Sequence, residues 1–245
     1  HRVYALVLES LGNYRRAIEE YEAAVKLAPN MTFLYINIGV NYRYLALASN
    51  YYPPQENPLY LQALTYFEKA VQINEQLGVN DPLPYISLAK TYSQMGEFFI
   101  AARNAEKALS FDPTEANSYG NLGIIYFKSR NYESSLPALK CAVEGCTAAE
   151  NEVVAQLAEN YPALNLQPVS VDAMALDTVE VAYYYAMYGQ VLAYLSRPSE
   201  NFCSDAMVVL DKVRKYPQVD DVLLQIARES ENICAELVAA PPEQP

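Results

Sequence analysis

The chain has one histidine in 245 residues, and it is the first residue. Relays of the Ser-His-Asp or Cys-His kind need an imidazole held inside the fold, so that class of nucleophilic catalysis has no base here. Metal-ligand spacings of His and Cys, Gly-rich phosphate loops and dinucleotide fingerprints are missing as well. The acidic run EEYEAA reads as a solvated helical face and not as a pair of catalytic carboxylates. No enzymatic activity, metal or cofactor is therefore expected. Basic residues are scarce: 17 Lys and Arg stand against 29 Asp and Glu, a net charge of −12. That balance argues against a nucleic-acid partner, which needs a basic stripe to replace phosphate counterions, and against anionic membrane surfaces. No apolar run reaches the roughly 18 to 20 residues that span a bilayer, so no direct membrane insertion is expected of this segment. Tryptophan is absent and glycine limited to 8 residues against 15 prolines, which fits short helices with sharp stops. His1 already lies inside the first helical pattern, so the chain reads as a piece of a longer protein.

What is present is an echo. Tyr85, Leu88, Ala89, Tyr92, Phe98 and Ala108 recur 34 residues later as Tyr119, Leu122, Gly123, Tyr126, Tyr132 and Ala142. Ala or Gly stands where two helices approach closely, and Tyr, Phe or Leu fills the space beside it. A period near 34 residues points to a pair of antiparallel helices per repeat.

These residues resemble the tetratricopeptide repeat (TPR) family over most of the chain. The resemblance implies an all-α fold, a right-handed α-solenoid of antiparallel helix pairs. Four TPR-like pairs are expected over residues 1–146. The first is truncated and turns at Gly12-Asn13, with Ala17, Tyr21 and Ala24 at its second-helix positions. The second carries an inserted turn at 46–60, because Pro53, Pro54 and Pro58 prevent simple lengthening of its first helix. The third turns at Gly96, and the fourth has Ser135 where Ala is usual and Pro137 early in its second helix. Residues 147–180 form an irregular connector with room for a short helix, 181–218 a fifth, degenerate pair, 219–238 a one-sided C-terminal capping helix, and 239–245 a disordered tail.

The TPR register places Cys203 near the start of the fifth pair's second helix and Cys234 near the end of the cap. Antiparallel neighbours bring those ends together, as a disulfide staple or as two small buried thiols. Cys141 and Cys146 flank Gly145 at a helix end, where a bridge requires the last turn to unwind. If the bridges form, the compartment is oxidising and extracytoplasmic; otherwise a cytoplasmic location is expected.

In TPR proteins the first helix of each pair lines a concave groove. Carried onto this chain, the groove-facing positions are Phe33, Ile36, Asn37, Val40, Arg43 and Tyr44 in the second pair and Ile86, Lys90, Ser93 and Gln94 in the third. The fourth contributes Asn121, Ile124, Phe127 and Lys128, and the fifth Tyr183, Met187, Gln190 and Tyr194. Such a wall suits an extended peptide or a partner helix. Arg43, Lys90 and Lys128 would set positive charge in the groove of an acidic protein, which suits an acidic or C-terminal carboxylate-bearing segment. Some TPR chaperone-binding domains hold a terminal carboxylate with a Lys/Asn/Lys/Arg constellation. Asn37 matches one of its positions, but Leu83 and Ser87 stand where two of its cations would be. Of the 22 tyrosines, many occupy repeat-core positions, Tyr14 and Tyr132 among them. Tyr51, Tyr52 and Tyr60 in the long turn and Tyr183 and Tyr184 by the connector are the better interaction candidates.

The reading is a non-enzymatic protein- or peptide-binding scaffold. Its rivals are a structural assembly or spacer module with a self-occupied groove, and the non-catalytic repeat region of a larger enzyme or sensor.

Overall fold

The computed structural model describes residues 1–239; the tail expected at 239–245 lies, from residue 240 on, outside the described residues. Among them are twelve α-helices and two single 3₁₀ turns, with no strand beyond the isolated bridges Cys146–Val171 and Arg197–Glu200. The fold is all-α, built from antiparallel helix pairs as expected. The chain divides into two compact units, residues 1–112 and 113 onward, so the densest packing breaks between the third and fourth pairs and not after residue 146.

The first unit holds α1 (Arg2–Ser10), α2 (Tyr14–Leu27), α3 (Thr32–Ala48), α4 (Pro58–Leu77), α5 (Leu83–Met95) and α6 (Phe98–Phe111). α1 and α2 are joined by a tight turn in which Gly12 takes φ +72° and the Asn13 N–H reaches back to the Leu8 carbonyl at 2.8 Å. The same closure joins α5 to α6, with Gly96 at φ +83° and the Glu97 N–H on the Tyr92 carbonyl at 2.9 Å. Glycine suits the left-handed residue of this turn because it lacks the Cβ that would clash.

Between α3 and α4 the inserted turn is shorter than the sequence suggests. α3 runs on to Ala48 and α4 starts at Pro58, leaving residues 49–57, with a 3₁₀ turn at Pro54–Glu56. Proline at the first helical position costs no hydrogen bond, so α4 can begin there. Asn57 fixes the segment from inside: its side chain accepts from the Leu59 N–H at 3.0 Å and donates to Ser49 Oγ at 3.0 Å, and the residue is buried. That is an N-cap and a loop staple in one side chain.

The second unit holds α7 (Ala116–Lys128), α8 (Tyr132–Glu144), α9 (Glu152–Asn160), α10 (Val179–Leu195), α11 (Cys203–Arg214) and α12 (Asp221–Ala239). Here the α7–α8 turn repeats the closure above with no glycine: Arg130 takes φ +63° and the Asn131 N–H meets the Tyr126 carbonyl at 2.9 Å. Ser135 is fully buried, and its hydroxyl donates to the Gly123 carbonyl at 2.8 Å, so the departure from Ala leaves no orphaned polar atom.

The connector is knit down, not loose. Cys146 and Val171 exchange backbone hydrogen bonds of 2.9 and 2.8 Å, and the Met174 N–H bonds the Ala142 carbonyl. Buried Asn151 caps α9 through the Val154 N–H and donates to the Tyr119 hydroxyl and the Val169 carbonyl.

Both cysteine pairs are joined, with S–S distances of 2.11 Å for Cys141–Cys146 and 2.03 Å for Cys203–Cys234. α8 ends at Glu144, and that early end is the unwinding the first bridge requires. The second ties the first residue of α11 to α12 beside buried Ala193.

Three helix pairs, α3–α4, α7–α8 and α10–α11, close on a glycine. An added Cβ at Gly39 would lie 2.5 Å from the Phe67 ring, at Gly123 2.6 Å from Leu139 Cγ, and at Gly189 2.7 Å from Leu210 Cδ2. Phe67, Leu139 and Leu210 are all completely buried, so they have nowhere to go.

Two outcomes test this packing. Gly123→Ala would also meet the Leu139 backbone N at 3.1 Å; overpacking of this kind outweighs the helix propensity gained and should cost about 1–2 kcal/mol in urea unfolding. Replacing Cys203 and Cys234 together with alanine opens a 31-residue loop and should cost roughly 3–4 kcal/mol, whereas opening the 5-residue Cys141–Cys146 loop should cost about 2 kcal/mol. The reverse order would show that the staple of α12 is dispensable.

Candidate functional site

The small residue that closes each pair also sets which residues face away from it. In α3, Leu34, Ile38 and Gly39 are buried against the second helices, and the side chains beyond that stripe are the candidates for binding.

In the first unit, Phe33 is half-buried with the Arg2 guanidinium 4.7 Å above its ring. Asn37 is half-buried too, and its amide donates to the Phe33 carbonyl at 3.0 Å. Val40 packs at the edge of the core formed with α4. Ile36 is 8% exposed and belongs to that core, so it offers a ligand almost nothing. Tyr44 is exposed and stacks on Tyr14 at 5.0 Å and 28°. Arg43, beside it, is only 9% exposed. Its Nε and Nη1 have no hydrogen-bond partner, and burial lowers its pKa. On α5, Ile86, Lys90 and Gln94 are half-buried, Ser93 is buried, and the Gln94 Oε1 is itself buried without a partner.

In the second unit the aromatic residues gather. Tyr132 stacks on Tyr194 at 5.1 Å and 10°, and Phe127 meets Tyr194 edge-on at 5.8 Å and Tyr132 at 5.2 Å. Tyr194 stays exposed, as does Lys128 next to Phe127. Asn121 donates to the Asn117 carbonyl in its own helix, and Ile124 packs against the α8–α10 core. Gln190 and Met187 are buried, 6% and 3% exposed, and Tyr183 is half-buried. For Ile36, Met187 and Gln190 the groove expectation is thus replaced by a packing role, because neighbouring helices cover the positions.

Two further tyrosines move the same way. Tyr60 is buried at the start of α4, and Tyr184 inserts its ring against Gly120, where an added Cβ would lie 2.6 Å away. The Tyr184 hydroxyl donates to Asn117 Oδ1 at 2.6 Å and lies 3.0 Å from Glu180 Oε1; burial and that carboxylate raise its pKa. Tyr51 and Tyr52 do remain exposed. Conversely Tyr14 and Tyr132, which the repeat pattern assigns to packing, form half of each exposed stack. The available signal was positional: each opens the second helix of its pair, and Tyr44 and Tyr194 each stand nine residues after a repeat-core tyrosine, Tyr35 and Tyr185.

His1 pairs through Nδ1 with Glu20 Oε2 at 2.6 Å on the surface. Among the described residues no three His, Cys, Asp or Glu side chains converge as a metal site would require, and no helix is long and apolar enough to cross a membrane.

Comparison with known proteins agrees with this architecture. The family model for the tetratricopeptide repeat matches residues 3–31. The small glutamine-rich tetratricopeptide repeat-containing protein 2 of Mycosarcoma maydis is 29% identical over 85 residues, 35% of this chain and 23% of that protein. The Hsp70-Hsp90 organizing protein 2 of Arabidopsis thaliana is 23% identical over 129 residues, 53% of this chain and 21% of that protein. The chain thus spans less than a quarter of the length of these curated relatives. Among solved structures, YrrB, described as a TPR protein with an unusual peptide-binding site, superposes with a TM-score of 0.52 at 17% identity, covering 94% of this chain and 90% of that one. TTC0263, a thermophilic TPR protein in Thermus thermophilus, gives 0.51 at 18% identity, covering 66% and 77%. With the 34-residue echo, the shared turn closure and the small residue at the waist of three pairs, these matches support a tetratricopeptide-repeat fold for the chain.

Proposed function

We propose that the chain is a non-enzymatic scaffold that binds a protein or an extended peptide along the open faces of its first helices, α3 and α5 in one unit and α7 and α10 in the other. One observation carries the reading: a tyrosine stack with one half-buried and one exposed ring recurs at the same register in both units, Tyr14–Tyr44 and Tyr132–Tyr194. Stacked rings that pin each other and still reach solvent give rigid, amphipathic contact at little entropic cost, the usual anchor of an interface. Phe127 widens the second stack, and Asn37, Asn121 and Lys128 are polar positions on the same set of first helices.

The relatives point the same way. YrrB carries a peptide-binding site, and the Arabidopsis relative is named for organising two chaperones. The chaperone-tail constellation is incomplete in this chain, since Leu83 and Ser87 replace two of its cations, so a different ligand is proposed. The two disulfides support an oxidising, extracytoplasmic setting. Thiol titration of the denatured, unreduced protein from its native source should find no free thiol, and four would end that assignment.

Peptides selected by the full chain from a random heptapeptide display library provide the test. Tyr44→Ala and Tyr194→Ala should each weaken the peptides that depend on their unit by about 1–2 kcal/mol, roughly five- to thirtyfold. Val208→Ala, on an exposed position of α11, should leave affinity unchanged. Equal affinities for all three variants would remove the first-helix faces as the binding surface.

A further inference from the structure

The aromatic cluster of the second unit keeps polar capacity of one kind unused. Tyr132 and Tyr194 lie face to face at 5.1 Å and 10°, and Phe127 meets them at 54° and 64°, so the three rings form a corner and not a flat patch. Neither phenol hydroxyl of the stacked pair makes a hydrogen bond among the described residues, and Tyr194 stays exposed. Buried phenols of the same unit close theirs on carbonyls, Tyr119 on Pro113 and Tyr185 on Val143 and Met174. The corner therefore offers apolar ring surface edged by two open hydroxyls. Such a surface suits a proline-rich segment. A prolyl ring packs on an aromatic face, proline has no N–H to satisfy, and the carbonyls of a polyproline II strand have no internal partner and accept from phenols.

The chain carries such a segment close by. Three prolines fall in the six residues 240–245, Ala-Pro-Pro-Glu-Gln-Pro, which follow α12. The end of α12 is held against the helix that bears Tyr194: Cys203, Cys234 and Leu237 gather around Ala193, the residue before Tyr194 in α10. Residue 240 follows Leu237 by less than one helical turn, about 5 Å along the axis. Six residues in a polyproline II strand then span about 19 Å, well beyond the 5.1–5.8 Å that separate the three rings.

We propose that residues 240–245 seat on the Phe127–Tyr132–Tyr194 corner of the same molecule, as a tethered occupant that a partner of the second unit must displace. The proposal rests on the binding reading above and names what covers that surface when no partner is bound. A tether this short holds the segment at an effective concentration near millimolar, so a weak contact is enough to fill the corner.

The test follows ring resonances of the full chain ¹³C-labelled at tyrosine, with Tyr132 and Tyr194 assigned by their loss in Tyr132→Phe and Tyr194→Phe. Ending the chain after Ala239, and separately replacing Pro241 and Pro242 with alanine, should move both resonances the same way and leave Tyr44 where it is. Acetyl-Ala-Pro-Pro-Glu-Gln-Pro-amide added to the shortened chain should restore them saturably, and the same peptide with alanine for its two adjacent prolines should not. Unmoved Tyr132 and Tyr194 resonances in the shortened chain overturn the proposal. So does a shift that the peptide fails to restore, since the missing residues have then only disturbed the end of α12. A full-chain spectrum that turns into that of the shortened chain on dilution assigns the occupant to a second copy and overturns the tethered seat.

Selected peptides that depend on Tyr194 should bind the shortened chain about five- to tenfold more tightly than the full chain, and equal affinities would count as a further refutation. Resonances that stay put beside peptides that still need Tyr194 would sink the seat and leave the scaffold reading intact. A shift that depends on residues 240–245, with no peptide selected at all, would do the reverse.

Discussion

The structure hangs on how closely the two helices of each pair approach at one residue. At Gly39, Gly123 and Gly189 the facing side chain occupies the space a Cβ would need, and Phe67, Leu139 and Leu210 are each buried completely by doing so. Burying one such side chain is worth about 1.5–3 kcal/mol, but the geometric effect matters more than the energy. With the helices pinned at the waist, the rotation of each first helix is set, and so are the residues that look away from its partner. The position after the waist residue, Val40 in α3 and Ile124 in α7, is then neither core nor free surface but the floor of the open face. Tyr44 and Tyr194, each five residues after the waist glycine of its own helix, emerge at the rim.

This dependence explains what the sequence reveals. Waist positions and hairpin turns are local: a small residue at a fixed offset and a Gly-Asn step can be read without knowing what lies opposite. Even the Arg130 turn is legible by position, since the Asn131 N–H makes the same closure that glycine permits elsewhere. Burial of groove positions is not local. Ile36 and Gln190 have the register of surface residues, and only the helices stacked against α3 and α10 cover them. The connector is a harder case, because its hold depends on pairings across long loops. Asn151 reaches Tyr119 from 32 residues away, and nothing in the run of prolines announces that contact. Tyr184 was legible as unusual but not as buried, for its slot exists only because Gly120 lies opposite.

Tyrosine abundance has the same origin. A repeat stack must bury helix ends whose carbonyls lack partners, and a phenol delivers a ring to the core and a donor to its edge. The Tyr35 hydroxyl reaches the Pro29 carbonyl at 2.8 Å, and Tyr119 reaches Pro113 at 2.7 Å, each six residues back across the helix junction. Where the connector interrupts the pattern, Tyr185 finds the Val143 and Met174 carbonyls instead. Burial, with carboxylate neighbours in several cases, raises the pKa of Tyr21, Tyr66, Tyr184, Tyr185 and Tyr188 above the ordinary 10.0. A phenol whose folded-state pKa is raised contributes stability that is intact below its unfolded value and is lost as pH climbs through the folded one. The network therefore stays neutral and donating through the physiological range and weakens only under alkali.

Against that background the buried cation stands apart. The fold meets its need for internal polarity with neutral groups that close their own bonds: Asn57 at a cap, Asn151 under the connector, Ser135 on a helix carbonyl. An apolar residue of similar length at position 43 would fill the same space without the desolvation cost, and mutation readily supplies one. A guanidinium there keeps a side-chain hydrogen bond with Tyr44 but leaves Nε and Nη1 without a partner. Arg43 adjoins the Tyr14–Tyr44 stack and the α3–α4 hairpin with its nine-residue connection, so charge, aromatic surface and inserted segment converge on the end of α3.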